Sequence, residues 1–364
     1  MKTKTKIKDI LVVQGGSHGF ESKGLVVETF CRYYGVNYLV RAGQADAGHV
    51  AYYKGKLHRT QQIPTGWTSP RTNLVLGAGA SIDENILRVE IENISMLTKS
   101  DVRKRLFIDS TIISVDTARR LGLSKRVCDT KTLINEGYDK GELLLVEGDR
   151  GLANSGLSPS LKYETVLVTR TFPAKDMDDR AHLPNEISWE EFAQEVNTQR
   201  TRFGLKPMLR GHTIAKFKKS LSMVATKFGM PNADFTKWGE GTKELFAQQL
   251  TSMHEEAMGC MEGYEVERLM GFFETFPPHK RLCRIARPDI NRLKRAAIIH
   301  RPKYIVLTFL NYAFPTIWGM SVWKDIIGSP KGAAVLKFIK KVEKETGTEV
   351  RFVNTSPNNI IKIN

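Results

Sequence analysis

The chain has 364 residues, 41% hydrophobic and 26% charged, which is typical of a globular protein with a sizeable core. No apolar run approaches the roughly 18 residues that span a bilayer, and the basic N-terminus runs into the first strand without a signal-peptide pattern. The four cysteines have no CxxC spacing, which argues against zinc or a disulfide framework and predicts reduced thiols in a cytoplasmic protein.

The net charge of +16 predicts anionic partners, although charge alone does not separate nucleotides from nucleic acids. Lys and Arg are spread along the chain, and no zinc-finger or RNA-recognition signature is present. A direct nucleic-acid function is therefore not favoured.

The first informative stretch, residues 10–30, joins an apolar strand-like run to a glycine-rich turn and a helical segment. Gly15 and Gly19 allow close approach of the backbone, and Lys23 stands where a helix would begin. Such an arrangement can surround phosphate oxygens with N–H groups and one cation. It is not a Walker A motif, because Gly24 follows the lysine. A plain strand–turn–helix connection remains the alternative.

Alternation of short apolar runs with helical stretches through residue 115 predicts a mainly parallel sheet with crossover helices. A capping box at Ser188 and Glu191 predicts a further helix opening at Trp189. The predicted strands are 10–13, 38–41, 73–77, 106–113, 143–146, 166–170, 304–309 and 350–353, and the other predicted helices lie near 23–34, 83–92, 117–141 and 333–345.

Residues 204–276 differ from the rest, because three segments at helical spacing follow one another without strands. We therefore predict one α/β domain formed by residues 1–203 and 277–364, with a helical insertion at 204–276. The insertion is either a structural cap or dimer element, or a substrate-specific lid.

Several stretches resemble motifs of the adenylosuccinate synthetase family, in the family's order. The glycine turn resembles G-x-Q-x-G-D-E-G-K-G, residues 41–49 resemble G-G-N-N-A-G-H-T, and residues 147–151 resemble E-G-A-Q-G. Further matches are residues 63–66 with L-P-S-G, 74–79 with the following strand, 281–289 with the arginine-rich aspartate loop, and 353–357 with S-T-G-P. Residues 166–172, 183–189 and 307–311 resemble the phage-type branch, which builds 2-aminoadenine precursors.

This resemblance implies an α/β, P-loop-related fold with a central, mainly parallel sheet flanked by helices. It also implies a ligase that joins L-aspartate to C6 of a purine nucleoside monophosphate: IMP, GMP or dGMP. The 6-oxo group would first be phosphorylated by ATP, dATP or GTP, with Mg²⁺ as cofactor, in a homodimer that contacts no membrane.

The resemblance also implies site residues. His49 would be the catalytic acid, with Lys23 beside the phosphoryl group, and the carbonyl of Gly48 would help to hold Mg²⁺. Arg119 resembles the arginine that a partner subunit lends to the nucleotide 5′-phosphate. The remaining candidates for nucleotide and phosphate are Gly15, Gly19, Gly24, Asp46, Arg150, Asn311 and Pro357, and those for aspartate are Arg281, Arg284 and Arg287.

Departures from the family pattern keep a second reading open. Phe20 replaces the aspartate that acts as base and Mg²⁺ ligand, and two substrate-lining segments are missing after residues 115 and 154. Residues 309–311 read F-L-N instead of K-x-D, so the acceptor for guanine is lost and ATP or dATP becomes more plausible than GTP. Arg150, Asp46, Ser356 and Cys283 also differ from the family residues. The alternative is a nucleotide-binding pseudoenzyme acting as a sensor or assembly subunit.

Overall fold

The computed structural model describes residues 10–17, 19, 21–45, 48–147, 163–172, 174–176, 183–187, 275–276, 281–356 and 359–364, with five residues between 191 and 202. Its strands, in chain order, are β1 Ile10–Gly15, β2 Tyr38–Arg41, β3 His49–Tyr53, β4 Lys56–Thr60, β5 Asn73–Leu76, β6 Leu106–Asp109, β7 Val127–Cys128, β8 Leu144–Glu147, β9 Tyr163–Arg170, β10 Ala174–Asp176, β11 Glu186–Ile187, β12 Thr275–Phe276, β13 Arg281–Ala286, β14 Tyr304–Thr308, β15 Val350–Ser356 and β16 Asn359–Lys362.

Ten of these strands form one sheet in the order β16-β15-β14-β9-β1-β8-β2-β5-β6-β7. Every neighbouring pair is parallel except β15 and β16, which form an antiparallel hairpin at one edge. This mainly parallel α/β sheet confirms the predicted fold class. Parallel strands reach the same sheet edge with their carboxyl ends, so the residues that follow them are brought together.

β1 lies in the middle of the sheet, between β8 and β9, and is covered on both faces. Leu11 and Val13 face the core that includes the first helix, whereas Ile10 and Val12 face the opposite layer. A strand covered on both sides needs an unbroken apolar run, as β1 has.

The α-helices of the described residues connect these strands. They are α1 Lys23–Phe30, α2 Glu84–Thr98, α3 Val115–Arg120, α4 Thr130–Asp139, α5 Ile290–His300, α6 Leu310–Ala313, α7 Trp323–Gly328 and α8 Gly332–Thr346. None of them is long and apolar enough to cross a bilayer. Side chains of Asp83, Ser114, Asp129 and Asp289 cap α2, α3, α4 and α5.

α1 begins differently. Its N-cap residue, Ser22, has a left-handed backbone with φ of 61° and makes no side-chain capping bond. The first N–H groups of α1 are therefore left without a side-chain acceptor at the cap. The helix continues into a π-helical turn, Cys31–Gly35, where the prediction had one helix to residue 34.

Two smaller sheets flank the large one. β3 and β4 form a hairpin whose two-residue turn, Lys54–Gly55, has positive φ at both positions. β13 pairs with β10, β11 and β12 in an antiparallel sheet. The helix expected at Trp189 begins outside the described residues. Almost all residues of the 204–276 insertion also lie outside them, so the domain division remains a prediction.

Candidate functional site

The carboxyl edge of the large sheet gathers the chemically distinctive residues. Gly15 ends β1, Glu147 ends β8, and Arg41 ends the neighbouring strand β2. On the other side of β1, Arg170 ends β9 and Phe309 directly follows β14. This edge is where ligands bind in open parallel sheets.

The glycine turn after β1 surrounds a carboxylate. Oε1 of Glu21 accepts the backbone N–H of Gly19 at 2.8 Å and that of Ser17 at 3.2 Å. Oε2 of the same side chain lies 3.0 Å from Nζ of Lys23. The amides and the ammonium that were expected to meet a phosphate therefore converge on an anion that belongs to the chain.

The carboxylate of Glu21 is held ionised. Burial favours its neutral form, but the charge and hydrogen bond of Lys23 and the N–H of Gly19 outweigh burial and lower the pKa of Glu21. Glycine at position 15 leaves room for this ion pair, because a β-carbon there would lie 3.0 Å from both Glu21 oxygens and from the Lys23 ammonium.

A second buried carboxylate orients His49. Nδ1 of His49 contacts Oε1 of Glu147 in a short hydrogen bond. The hydroxyl of Thr65 donates to the same oxygen at 3.1 Å, and its N–H donates to the other oxygen at 3.4 Å. Because Glu147 engages Nδ1, Nε2 is the ring nitrogen left for a ligand.

Glu147 stays negative through these partners. Burial raises the pKa of its carboxyl, but the charge and hydrogen bond of His49, then Arg41 and Thr65, lower that pKa to about 2. Glu147 therefore places a fixed negative charge behind the imidazole of His49.

The His49–Glu147 dyad lies against the start of α1. A β-carbon at Gly24 would come within 2.7 Å of the Val50 carbonyl oxygen and 3.1 Å of both the His49 β-carbon and the Thr65 methyl group. Glycine at position 24 thus lets α1 pack directly on β3. As a result, His49 stands beside the helix turn that carries Lys23.

Ser17 fastens the glycine turn to the other half of the sheet. Its hydroxyl lies 3.2 Å from the hydroxyl of Thr169 and accepts the N–H of Arg170 at 3.2 Å. Its carbonyl accepts a hydrogen bond of 3.2 Å from Arg292 on α5. The hydroxyl of Thr308 also donates to the carbonyl of Glu21 at 2.9 Å.

An aromatic and cationic cluster occupies the ends of β9 and β14. The guanidinium of Arg170 stacks on the ring of Phe309 at 3.8 Å and lies 5.7 Å from the ring of Tyr312. Phe309 has φ of 56°, a left-handed conformation that is rare for a bulky residue. Its N–H donates to Oδ1 of Asn354 at 3.2 Å, which ties β14 to β15.

Three of the predicted site residues lie away from the dyad. Asn311 is buried in α6. Arg119 is exposed on α3 and pairs with Asp116 at 3.1 Å. Arg287 is half-exposed and pairs at 2.7 Å with both Glu191 and Glu195.

Several predictions fall outside the described residues. Asp46, Arg150 and Pro357 are among them, and so is Phe20. Arg281 and Arg284 lie on β13, but only their backbone is described; Arg281 pairs with Phe276, and Arg284 with Lys175. These assignments remain predictions.

Magnesium, which the resemblance implies, has no protein site of its own among the described residues. They contain no group of three His, Cys, Asp or Glu side chains that could hold a metal. A β-carbon at Gly48 would clash with the guanidinium of Arg59, so a cation already stands beside the proposed ligand. Because Mg²⁺ at nucleotide sites takes most of its ligands from phosphates and water, Gly48 remains a predicted ligand.

Three residues of this site were not predicted individually from the sequence. Glu21 and Glu147 appeared only inside motifs, and Thr65 only inside I-P-T-G. An acid directly after a glycine turn, and an acid ending a buried strand, are the signals that point to them. Their partners could not be read from the sequence, because His49 and Glu147 are 98 positions apart.

Comparisons with known proteins agree with this architecture. The sequence profile of the adenylosuccinate synthetase family matches residues 12–121. The adenylosuccinate synthetase of Methanococcus aeolicus is 24% identical over 95% of this chain and 96% of its own length. That of Methanocaldococcus jannaschii is 23% identical over 95% of this chain and 94% of its own length.

Two solved structures share the fold. The fully ligated adenylosuccinate synthetase of Plasmodium falciparum has a TM-score of 0.62 and 13% identity, covering 98% of this chain and 100% of its own. The succinoaminodeoxyadenylate synthetase of cyanophage S-2L, bound to dGMP and to dATP as energy donor, has a TM-score of 0.59 and 14% identity. It covers 98% of this chain and 95% of its own.

Proposed function

We propose that the chain is a divergent member of the adenylosuccinate synthetase family and that its function is of the aspartate–purine ligase type. We propose that it joins the amino group of L-aspartate to C6 of IMP, GMP or dGMP. A nucleoside triphosphate would phosphorylate the 6-oxo group, and the aspartate amine would then displace that phosphate. The observation that carries the proposal is the placement of the His49–Glu147 dyad against the helix start that bears Lys23.

Lys23 and the start of α1 are proposed to hold the transferred phosphoryl group. Phosphoryl transfer depends on positioning and on neutralising charge more than on covalent chemistry. The uncapped N–H groups of α1 and the ammonium of Lys23 supply donors and one positive charge. A phosphate that reached the amide of Gly19 would have to displace the carboxylate of Glu21, which accepts that N–H.

His49 is proposed as the acid that supports the leaving phosphoryl oxygens. Its Nδ1 is engaged by Glu147, so a proton on Nε2 would face the phosphoryl group held by α1. With its pKa lowered to about 2, Glu147 remains a carboxylate at all physiological pH values. Because Phe20 replaces the family's base, the group that removes the N1 proton is left unassigned.

The arginines of β13 and the segment after it are proposed to bind the carboxylates of aspartate. Arg281 and Arg284 lie on β13, and Arg287 follows it immediately. Guanidinium groups bind carboxylates in a two-pronged geometry. Arg287 already binds Glu191 and Glu195, so aspartate would exchange with these acids.

The donor is proposed to be ATP or dATP. Asn311 replaces the acid that would accept guanine's N–H groups, and its side chain is buried. The cyanophage S-2L enzyme, which shares this fold, was solved with dATP as its energy donor. Arg119, exposed on α3, is proposed to reach the 5′-phosphate of a second subunit.

Purified protein tests the proposal directly. Phosphate release should require L-aspartate together with one of GMP, dGMP or IMP and a triphosphate, and a succinyl-purine product should appear by mass spectrometry. His49→Asn should abolish release while nucleotide binding persists, and Lys23→Ala should weaken triphosphate binding. Release without aspartate, or none with any acceptor, contradicts the ligase.

One observation favours a second candidate, a nucleotide sensor without turnover. The donors of the glycine turn are already satisfied by Glu21, so the turn keeps its shape without a ligand. Under this candidate, nucleotide binding is measurable by calorimetry, but no acceptor supports aspartate-dependent phosphate release.

A further inference from the structure

α8 carries a face on which every charged side chain is a lysine. Lys337, Lys340, Lys341 and Lys344 are all exposed and follow the spacing i, i+3, i+4, i+7. At 100° per residue these four positions fall within an arc of about 100°. We call them the lysine face. The opposite side of the helix is buried and consists of Val335, Ile339 and Val342.

The lysine face has no acidic partner in the described part of the chain. No ion pair or hydrogen bond joins any of its four ammonium groups to a described residue. The acids of α8 are occupied elsewhere: Glu343 accepts the N–H of Val350 at 2.9 Å, and Glu345 lies 3.7 Å from Lys294 on α5. The positive charge of this face is therefore not neutralised locally.

On α2 and α3 the basic side chains are paired with acids instead. Arg88, the basic residue of α2, pairs with Glu84 at 2.8 Å, and Glu84 also binds Arg120 of α3 at 2.6 Å. Arg119, the remaining basic residue of α3, pairs with Asp116. On α8, lysines four positions apart instead repel each other. The helix dipole favours a cation in the last turn, which accounts for Lys344 but not for Lys337.

We propose that the lysine face binds the phosphate backbone of nucleic acid, without sequence preference. Lysines are point charges that neutralise phosphates without reading bases. Between Lys337 and Lys344 the helix rises about 10 Å, a length over which duplex DNA carries about six negative charges. The face thus matches a polyanion better than a single phosphate.

The same face is poorly suited to lipid. Helices that lie on membranes present large apolar side chains next to their cations. The large apolar residues of α8 are buried or half-buried, as Leu336 and Phe338 show. An anionic vesicle would therefore find charge to bind but no apolar edge to bury. The sequence contains no zinc-finger or RNA-recognition signature. The helix nevertheless gathers these four lysines on one surface.

The test is binding of the full chain to a fluorescent duplex of about 20 base pairs at 50 to 200 mM salt. Replacing all four lysines by glutamine keeps good helix formers in place. We expect the affinity at 50 mM salt to fall about tenfold or more. The slope of log affinity against log salt should become shallower by about 3 to 4, near 0.9 for each lost phosphate contact.

A matched variant separates local from bulk charge. Lys104, Lys125, Lys131 and Lys140 are exposed elsewhere, and their replacement by glutamine lowers the net charge from +16 to +12, as the first variant does. This control should keep nearly all of the affinity and slope. Equal losses in both variants, no salt-dependent binding by the wild type, or binding to phosphatidylserine vesicles instead of DNA would each overturn the proposal. Ligase assays on both variants keep this result independent of the proposed reaction.

Discussion

The two ends of the sheet's carboxyl edge are built from different chemistry. Near β1, β8 and β2, buried carboxylates have polar partners, Lys23 for Glu21 and His49 for Glu147. Near β9, β14 and β15, a guanidinium stacks on the ring of Phe309 instead. We call these the ionic end and the aromatic end. The ionic end keeps the lysine and histidine of the family motifs, Lys23 and His49, whereas the aromatic end has F-L-N in place of K-x-D.

This difference separates two tasks. A site for phosphoryl groups needs fixed charges and N–H donors, whose geometry tolerates little change. A site for a base can be rebuilt around stacking, because every base offers an aromatic face. Phosphate handling would then stay as in the family, while the preference among nucleotides changed.

The largest effect is expected at Glu147. Glu147→Gln removes a buried negative charge that interacts with His49 and Arg41. We therefore expect the free energy of unfolding to fall by about 3–5 kcal/mol. Urea denaturation measures this change. Glu136→Gln removes an exposed acid that pairs with Lys140 at 3.5 Å and should change stability very little. A loss under 1 kcal/mol for Glu147→Gln would show that the ionic end is not held by this pair.

The same pair predicts a dependence on pH. The pKa of Glu147 is about 2 in the folded protein and ordinarily 4.5, so its ionised form stabilises the fold above pH 4.5. That contribution, about 3 kcal/mol, should be lost as the pH falls from 4.5 towards 2. The difference in unfolding free energy between wild type and Glu147→Gln, followed from pH 7 to pH 2, should shrink over this window. A constant difference would refute the assignment.

Gly24→Ala tests the contact between α1 and the His49 strand. The new β-carbon would lie 2.7 Å from the carbonyl oxygen of Val50, so α1 or β3 must shift. We expect a loss of about 1–3 kcal/mol and weaker triphosphate binding, measured by denaturation and calorimetry. Gly328→Ala, with no atom within 4 Å of its β-carbon, is the matched control and should leave both unchanged. If Gly24→Ala binds the triphosphate as tightly as the wild type, the packing of α1 on the His49 strand does not contribute to the phosphate site.

The smallest effect is expected at the aromatic end. Phe309→Leu removes the ring under Arg170 and should cost about 0.5–2 kcal/mol. If the protein binds ATP more tightly than GTP, the ratio of the two affinities should fall in this variant. Phe107→Leu, where Arg126 lies 5.1 Å from the ring, makes the same chemical change at a looser contact. If Phe309→Leu leaves the ratio unchanged, this end does not select the base.

Sequence reasoning located eight of the ten strands of the large sheet, because these strands appear as apolar runs. It missed β16, and the helix predicted over residues 117–141 was wrong, since β7 separates α3 from α4 there. β7 is short and not buried, so it has no apolar run to signal it. The predicted bounds of β2 match those of the structure, and the predicted end of β1 falls two residues before its actual end. The β3–β4 hairpin was missed, although the Lys54–Gly55 turn between alternating residues signals it. Its pattern is weakened because both faces are only half-buried.

The candidate site was harder to predict. Motif resemblance pointed to Lys23 and His49, but it could not show that Glu21 would occupy the glycine turn. Whether a loop binds a ligand or its own side chain depends on distances of tenths of an ångström, which a motif does not contain. For the same reason, the backbone strain at Phe309 could not be read from F-L-N.

The central position of β1 constrains how the chain acquires its structure. Ile10 pairs with Leu144 on one side and with Tyr163 on the other, so the first strand must wait for segments made much later. Such long-range pairing slows folding, because the entropy of closing large loops is lost before any contact forms. During synthesis, the glycine turn after β1 therefore stays unassembled until most of the first half of the protein has left the ribosome. A chaperone that shelters this apolar N-terminal strand would be expected to raise the yield of active protein.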